Sequence, residues 1–185
     1  MTRGVSDPHV FAGFFAVDRM TPHWADLAVN SHTLHSLYSA IPSLDSVRLR
    51  SFYLDWRGPT LTIRIDLPRY PEHAPPEWSA LGHNTMQVHV QFAAVDDLTV
   101  RGWIPPNSVD IDISRLNDWT IQTNISGAGL EFHFSCSDSL TIGHISSFRA
   151  AESGSDEVPH SFLRPIDARR FSSIPDTHVS NFYDR

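Results

Sequence analysis

Residues 45–142 carry apolar side chains at every second position in a series of short segments, and this alternation restricts the chain to β structure. In one such segment the apolar residues are Leu61, Ile63, Ile65 and Leu67. A period of two places successive side chains on opposite faces of a strand, here one buried and one solvated. The sequence predicts no helix between these strands that is long enough to serve as a crossover, which favours antiparallel pairing of neighbouring strands. We therefore predict a mainly β (α+β) protein whose antiparallel β-sheets pack as a sandwich or a partly open barrel.

Seven or eight strands follow from this pattern. The apolar positions slip by one residue at Ser51, which predicts a β-bulge. Residues 55–59 contain adjacent Gly and Pro and predict the turn of a hairpin. The predicted strands cover residues 47–54, 60–67, 86–92, 98–100, 109–113, 119–125, 130–136 and 140–142.

Helices are expected near the start of the chain. Thr21 and Pro22 can open one short helix, and apolar residues at helical spacing predict a second that ends before Pro42. Residues 68–76 contain four prolines and predict a stiff, extended loop. We divide the chain into an N-terminal extension (1–30), an antiparallel β domain with an N-terminal helix (31–150), and a linker and C-terminal tail that packs back (151–185).

Composition and net charge limit the cellular compartment and the classes of binding partner that we expect. The net charge of −7 over 185 residues disfavours nucleic acid and anionic lipid. A single cysteine, Cys136, can form no internal disulfide and is compatible with a reducing environment. The apolar residues 10–17 are about half the length that a membrane span needs. These features predict a cytoplasmic protein that binds neither membranes nor nucleic acid.

Motifs for catalysis, metals and cofactors are missing from the sequence. It contains no HExxH, GxSxG, GxGxxG or P-loop pattern. Asp110 and Asp112 share one face of a predicted strand and could bind Ca²⁺ or act as an acid/base pair. A solvated strand face explains the same two residues. We therefore predict no enzyme, no catalytic residue, no metal site and no cofactor; a hydrolase would need Asp110, Asp112 and His133 in a deep pocket.

Acidic and aromatic residues provide the candidate partner-binding site. A run of carboxylates on an apolar scaffold can attract and cover a basic groove on another protein. Trp56, Trp78 and Trp103 fall in or beside predicted loops, where an aromatic ring can anchor a partner or seal the end of a core. The predicted contact residues are Asp96, Asp97, Trp103, Asp110, Asp112 and Asp118.

Several segments resemble one known family. They are IPSLDSVRLRS (41–51), LDWRGPTLT (54–62), DLP (66–68), PPEW (75–78) and SDSLTIGHISSFRA (137–150), with a weaker likeness at DARR (167–170). These are similar to the immunity protein 50 family of bacterial polymorphic toxin systems. The resemblance implies a small cytoplasmic protein that binds and neutralises a cognate toxin by occlusion, and it transfers no catalytic residue.

An alternative of another class stays open at this point. A carbohydrate- or ligand-binding β-sandwich would show coplanar exposed aromatic rings and a Ca²⁺ site at Asp110 and Asp112.

Overall fold

The described part of the chain contains nine strands, and all pairings between them are antiparallel. The structure is a computed structural model that describes residues 22–103 and 107–179. Most of the expected extension 1–30, including the apolar residues 10–17, lies outside the described residues. The strands are β1 (Val47–Asp55), β2 (Thr60–Asp66), β3 (Thr85–Phe92), β4 (Asp96–Arg101), β5 (Asn107–Arg115), β6 (Thr120–Gly127), β7 (Leu130–Ser137), β8 (Leu140–Phe148) and β9 (Ser161–Phe162).

One sheet contains every strand, in the order β4-β7-β6-β5-β1-β2-β3-β8-β9. The mainly β, antiparallel class predicted from the sequence is confirmed, and the sheet does not close into a barrel. Face-to-face packing occurs because the sheet bends back on itself. Phe92 in β3 contacts Phe134 in β7 edge to face, with ring centroids 5.2 Å apart. The apolar core therefore lies between two halves of one sheet, which pack face to face as the two sheets of a β-sandwich do.

β1 contains a bulge at the point where its pairing with β5 ends. Pairing of β1 with β2 shifts register between Leu49 and Ser51, which confirms the bulge predicted from the phase slip. β1 pairs with β5 through residues 47–49 and with β2 through residues 48–55. A bulge bends and twists its strand, so β1 can pass from one half of the sheet to the other.

Short helices cover the ends of the sheet. A 3-10 helix (Trp24–Leu27) and helix α1 (His32–Leu37) confirm the two predicted N-terminal helices. Residues 68–75 lie in the loop predicted over 68–76, and helix α2 (Pro76–Ala80), which was not predicted from the sequence, begins at its end. Proline is favoured in the first helical turn, and this helix buries Trp78. Helix α3 (Pro165–Arg170) follows β9. No helix of the described residues is long and apolar enough to cross a membrane.

Residues 151–179, here called the C-terminal strap, cross the outer face of β2, β3 and β8. β9 pairs with β8, and the Leu163 amide donates a hydrogen bond to the Ile145 carbonyl (3.0 Å). Phe162 and Ile174 of the strap are buried. Near Leu140 the same edge of β8 is paired by residues 28–30, through a bridge at Ala28 and two hydrogen bonds to Asn30.

Candidate functional site

The outer face of β5, β6, β7 and β4 is an open, polar surface, here called the acidic face. Strand register aligns its side chains in three rows that cross all four strands, a width of about 14 Å at ordinary strand spacing. The rows are Ser114, Gln122, Ser135 and Asp96; Asp112, Asn124, His133 and Thr99; and Asp110, Ser126, Glu131 and Arg101. The alternate residues of these strands point into the core, among them Ile111, Ile125 and Phe132.

Carboxylates dominate the charge of this face. Asp96, Asp110, Asp112 and Glu131 are all exposed, and Arg101 is the cation in the three rows. The register thus brings together three of the six residues predicted from the sequence. Glu131 was not among the predicted contact residues, although its alternation with buried Leu130 and Phe132 places it on the outer face.

The other predicted acids border the face. Asp97 follows Asp96 at a bulge in β4, where its φ of 52° is in the left-handed region. Asp118 is exposed in the β5–β6 turn. Asp110 has a second function, because its Oδ1 accepts a 2.7 Å hydrogen bond from the Ser46 amide in a turn with φ of 55°.

His133, at the centre of the acidic face, is held between two amide side chains. Nδ1 lies 2.7 Å from Asn124 Oδ1, and Nε2 lies 3.1 Å from Gln122 Nε2. A neutral ring that donates from Nδ1 and accepts at Nε2 satisfies both neighbours. Asp112, Asn124 and His133 sit in one exposed row, so the face is open rather than the deep pocket that a hydrolase at these residues would require. Among the described residues, no group of three or more His, Cys, Asp or Glu side chains is placed to hold a metal ion.

The tryptophans divide into buried and exposed rings. Trp24 and Trp78 are buried. Trp103, predicted as a contact residue, is half-buried and packs edge to face on Phe52 (5.1 Å) and on Phe132 (6.4 Å), so it closes one end of the core. Trp56 and Trp119 are 82% and 79% exposed. The sequence placed Trp56 in a loop but gave no sign that Trp119 would be exposed.

A second group of charged residues lies under the C-terminal strap. Arg50 makes two hydrogen bonds to Asp66 Oδ2, at 2.9 and 2.5 Å, and both side chains are almost fully buried. Asp156 of the strap accepts a hydrogen bond from Gln87 (3.0 Å) and lies 3.1 Å from Arg64. Burial alone would raise the pKa of Asp156, but the Gln87 hydrogen bond and the two guanidinium groups hold it below its ordinary value. This cluster fastens the strap to the sheet.

Buried histidines complete the layer beneath the strap. His144 Nδ1 lies 3.2 Å from Asp167 of α3, and the His89 and His144 rings are 5.3 Å apart. Burial, with smaller contributions from His144 and Arg64, lowers the pKa of His89 to about 3. His160 Nε2 donates a hydrogen bond to the Asp156 carbonyl (3.0 Å), and His160 Nδ1 lies 2.9 Å from Ser146 Oγ. Ser146 is fully buried, so this serine–histidine contact lies inside the structure, beneath the strap.

A comparison with known families identifies the group to which this sheet belongs. The model of the family described as Immunity protein 50 matches residues 30–147, nearly two thirds of the chain. The chain is a member of the immunity protein 50 family. Searches of curated proteins and of solved structures found no match.

The family match covers the whole acidic face of this immunity protein 50 member. It runs from Asn30 to Ser147, one residue before the end of β8, and therefore includes β1–β7. The C-terminal strap lies beyond the match. The family name indicates an immunity protein, for which catalysis is not expected and a toxin is the general kind of partner.

Proposed function

We propose that the protein binds a cognate bacterial toxin through the acidic face and neutralises it by occlusion, in the cytoplasm and without catalysis of its own. The observation that carries this proposal is the exposed four-stranded face, with four carboxylates and one guanidinium in its rows. Membership of the immunity protein family supports a toxin as the partner.

Electrostatics favours a basic surface on that toxin. Opposite charges raise the association rate of two proteins and suppress wrong partners, and the effect falls with ionic strength. Covering a basic substrate groove would stop the toxin sterically, so the immunity protein needs no reactive group. The net charge of −7 disfavours binding of the immunity protein to nucleic acid or to anionic membranes, so competition with the toxin for such a substrate is not the expected mechanism.

The first test uses the toxin domain encoded by the neighbouring upstream gene as the probe. The immunity protein and this domain are co-expressed, and growth rescue and a stoichiometric complex in size-exclusion chromatography are measured. We expect both. Absence of complex and of rescue with the wild-type protein would refute the proposed function.

Charge reversal then tests the face itself. Asp112→Arg and Glu131→Arg suit this purpose because both side chains are exposed, whereas Asp110 caps the Ser46 turn and Asp96 Oδ1 accepts the Asp97 amide. We expect the double variant to bind at least 10-fold more weakly in 150 mM salt, mainly through a slower association rate. The control is Glu152→Arg with Glu157→Arg, an equal charge change at two exposed strap residues. Equal losses in both proteins would show only an effect of net charge.

A further inference from the structure

Two exposed tryptophans lie in turns at the same end of the sheet, and the acidic face does not account for them. Trp56 is in the β1–β2 turn and Trp119 in the β5–β6 turn. Their exposed fractions, 82% and 79%, are the highest among the large hydrophobic side chains of residues 22–103 and 107–179. Tryptophan is highly buried on average in folded proteins, and it is among the residues most enriched at the hot spots of protein interfaces.

Backbone hydrogen bonds join four turns into one rim, here called the tryptophan rim (residues 56–59, 93–95, 116–119 and 138–139). The Val95 amide donates to the Pro59 carbonyl (2.8 Å), the Ser137 amide to Ala93 (2.9 Å), and the Asp138 amide to the Trp119 carbonyl (3.0 Å). This chain of bonds leads from the turn of one exposed tryptophan to the turn of the other.

Side chains also fix each turn internally. Asp55 Oδ1 accepts a hydrogen bond from the Arg57 amide (3.0 Å), and Asn117 Oδ1 accepts one from the Trp119 amide (3.0 Å). Turns held in this way lose little conformational entropy when a partner binds, which increases the affinity gained from each ring.

The charges of the rim select the partner. Arg57 pairs with Asp55, and Arg115 pairs with Asp138. Asp96, Asp97 and Asp118 add three further carboxylates around them, so acids exceed bases. Such a rim suits a basic protein surface, and lysine or arginine side chains of the partner can also stack on the tryptophan faces. A second copy of this chain would bring two acidic rims together and is disfavoured.

We propose that Trp56 and Trp119 are the anchor residues for the toxin, inserted into apolar sites on its basic surface while the adjacent acidic face covers the rest. This inference rests on the proposed function. Asp96 connects the two surfaces, because it belongs both to the outermost row of the acidic face and to the strand that follows residues 93–95.

The geometry is testable on the free protein. Replacing both rings by Phe (Trp56→Phe with Trp119→Phe) removes the two exposed indoles and leaves Trp24, Trp78 and Trp103. We expect the emission that acrylamide quenches readily to disappear and the remaining emission to shift to shorter wavelength. Unchanged quenching would show that the exposed indoles lie elsewhere and would overturn the inference.

Binding is then measured by calorimetry with the toxin domain from the upstream gene. Trp56→Ala and Trp119→Ala should each weaken binding about 30-fold or more, as interface anchors do, while the melting temperature stays unchanged. Leu81→Ala is the matched control, since Leu81 is 60% exposed and lies just after α2, at the opposite end of β3. It should change the affinity less than 3-fold.

Each remaining outcome separates this inference from the proposed function. If the wild-type protein binds and both Trp→Ala variants bind within 3-fold of it, the anchors are refuted and the toxin-binding function stands. If the wild-type protein does not bind the toxin domain, both proposals fail. If the free protein sediments as a dimer that Trp56→Ala dissociates, the occupant is a second copy and the inference is wrong.

Discussion

The attachment of the C-terminal strap allows a quantitative prediction for Asp156→Ala. The substitution removes the acceptor of one hydrogen bond from Gln87 and two ion pairs, one with Arg64 at 3.1 Å and a longer one with Arg50 at 3.6 Å. The side chains of Arg64 and Asp156 are both 16% exposed. Hydrogen bonds to charged groups contribute about 1.5–3 kcal/mol each when buried. Water can enter the 540 Å³ cleft beside Arg64 and hydrate the released groups, and Arg50 keeps its bonds to Asp66. We therefore expect a loss of about 2 kcal/mol in the free energy of unfolding, below the sum of the three contacts.

Urea unfolding followed by tryptophan fluorescence measures this loss, with Glu152→Ala, an exposed carboxylate of the same strap, as the control. The pH dependence identifies the cause. Because the folded protein holds the pKa of Asp156 below its ordinary value, its contribution is complete above the unfolded pKa of about 3.9 and is lost as pH falls through the folded value. The difference between wild type and variant should be constant from pH 7 to 5 and shrink below about pH 4. A difference that persists unchanged at pH 3 would refute the role of the carboxylate charge.

Three further outcomes follow from the buried groups. Burial raises the pKa of the Cys136 thiol to about 11, so a thiol reagent at pH 8 should modify it only after denaturation; rapid reaction of the native protein would contradict its burial. The pKa of His89 is about 3 in the folded state and near 6.5 when unfolded, so the unfolded chain takes up the proton first as pH falls, and the free energy of unfolding should decrease between pH 6.5 and 3. The His89→Gln variant should show a smaller decrease in urea titrations over this range. In the native wild-type protein the ring resonances of His89 should not titrate between pH 8 and 5. Arg50→Met leaves buried Asp66 without its guanidinium partner and should lower the free energy of unfolding by about 3–5 kcal/mol. The double variant Arg50→Met with Asp66→Leu should recover much of this loss, and failure to recover it would argue against a charge effect.

Local patterns predicted the strands, because a strand can be recognised from the alternation of side chains within its own segment. Leu61, Ile63 and Ile65 alternate with polar residues, and the slip at Ser51 marks a bulge whatever the partner strand is. The order of the strands depends on pairing between distant segments, such as β3 with β8. Alternation of apolar and polar residues within a strand does not specify which other strand it pairs with. A single bent sheet was therefore not distinguishable from two sheets.

The candidate site was predictable in its charge and not in its aromatic residues. Asp110 and Asp112 follow from alternation on β5, since the intervening Ile111 is buried. The exposure of a tryptophan depends on what the fold places over it. Trp103 packs on Phe52 and Phe132, whereas Trp119 extends from a turn that is fixed through its backbone. The ion-pair cluster was also not predictable, because Arg50 donates a hydrogen bond to the Gly154 carbonyl, which lies 104 residues away in sequence.

The position of β4 at one end of the sheet affects the solubility of the protein. Its outer edge carries backbone groups that pair with no strand in the part of the chain that the structure describes. Edges of this kind recruit further strands and start aggregation unless charge or irregular geometry prevents it. Asp96 and Asp97 supply the charge, and the left-handed backbone of Asp97 at the bulge supplies the irregular geometry. Variants that neutralise these carboxylates should therefore be examined for soluble yield before affinity, because precipitation would imitate a loss of toxin binding.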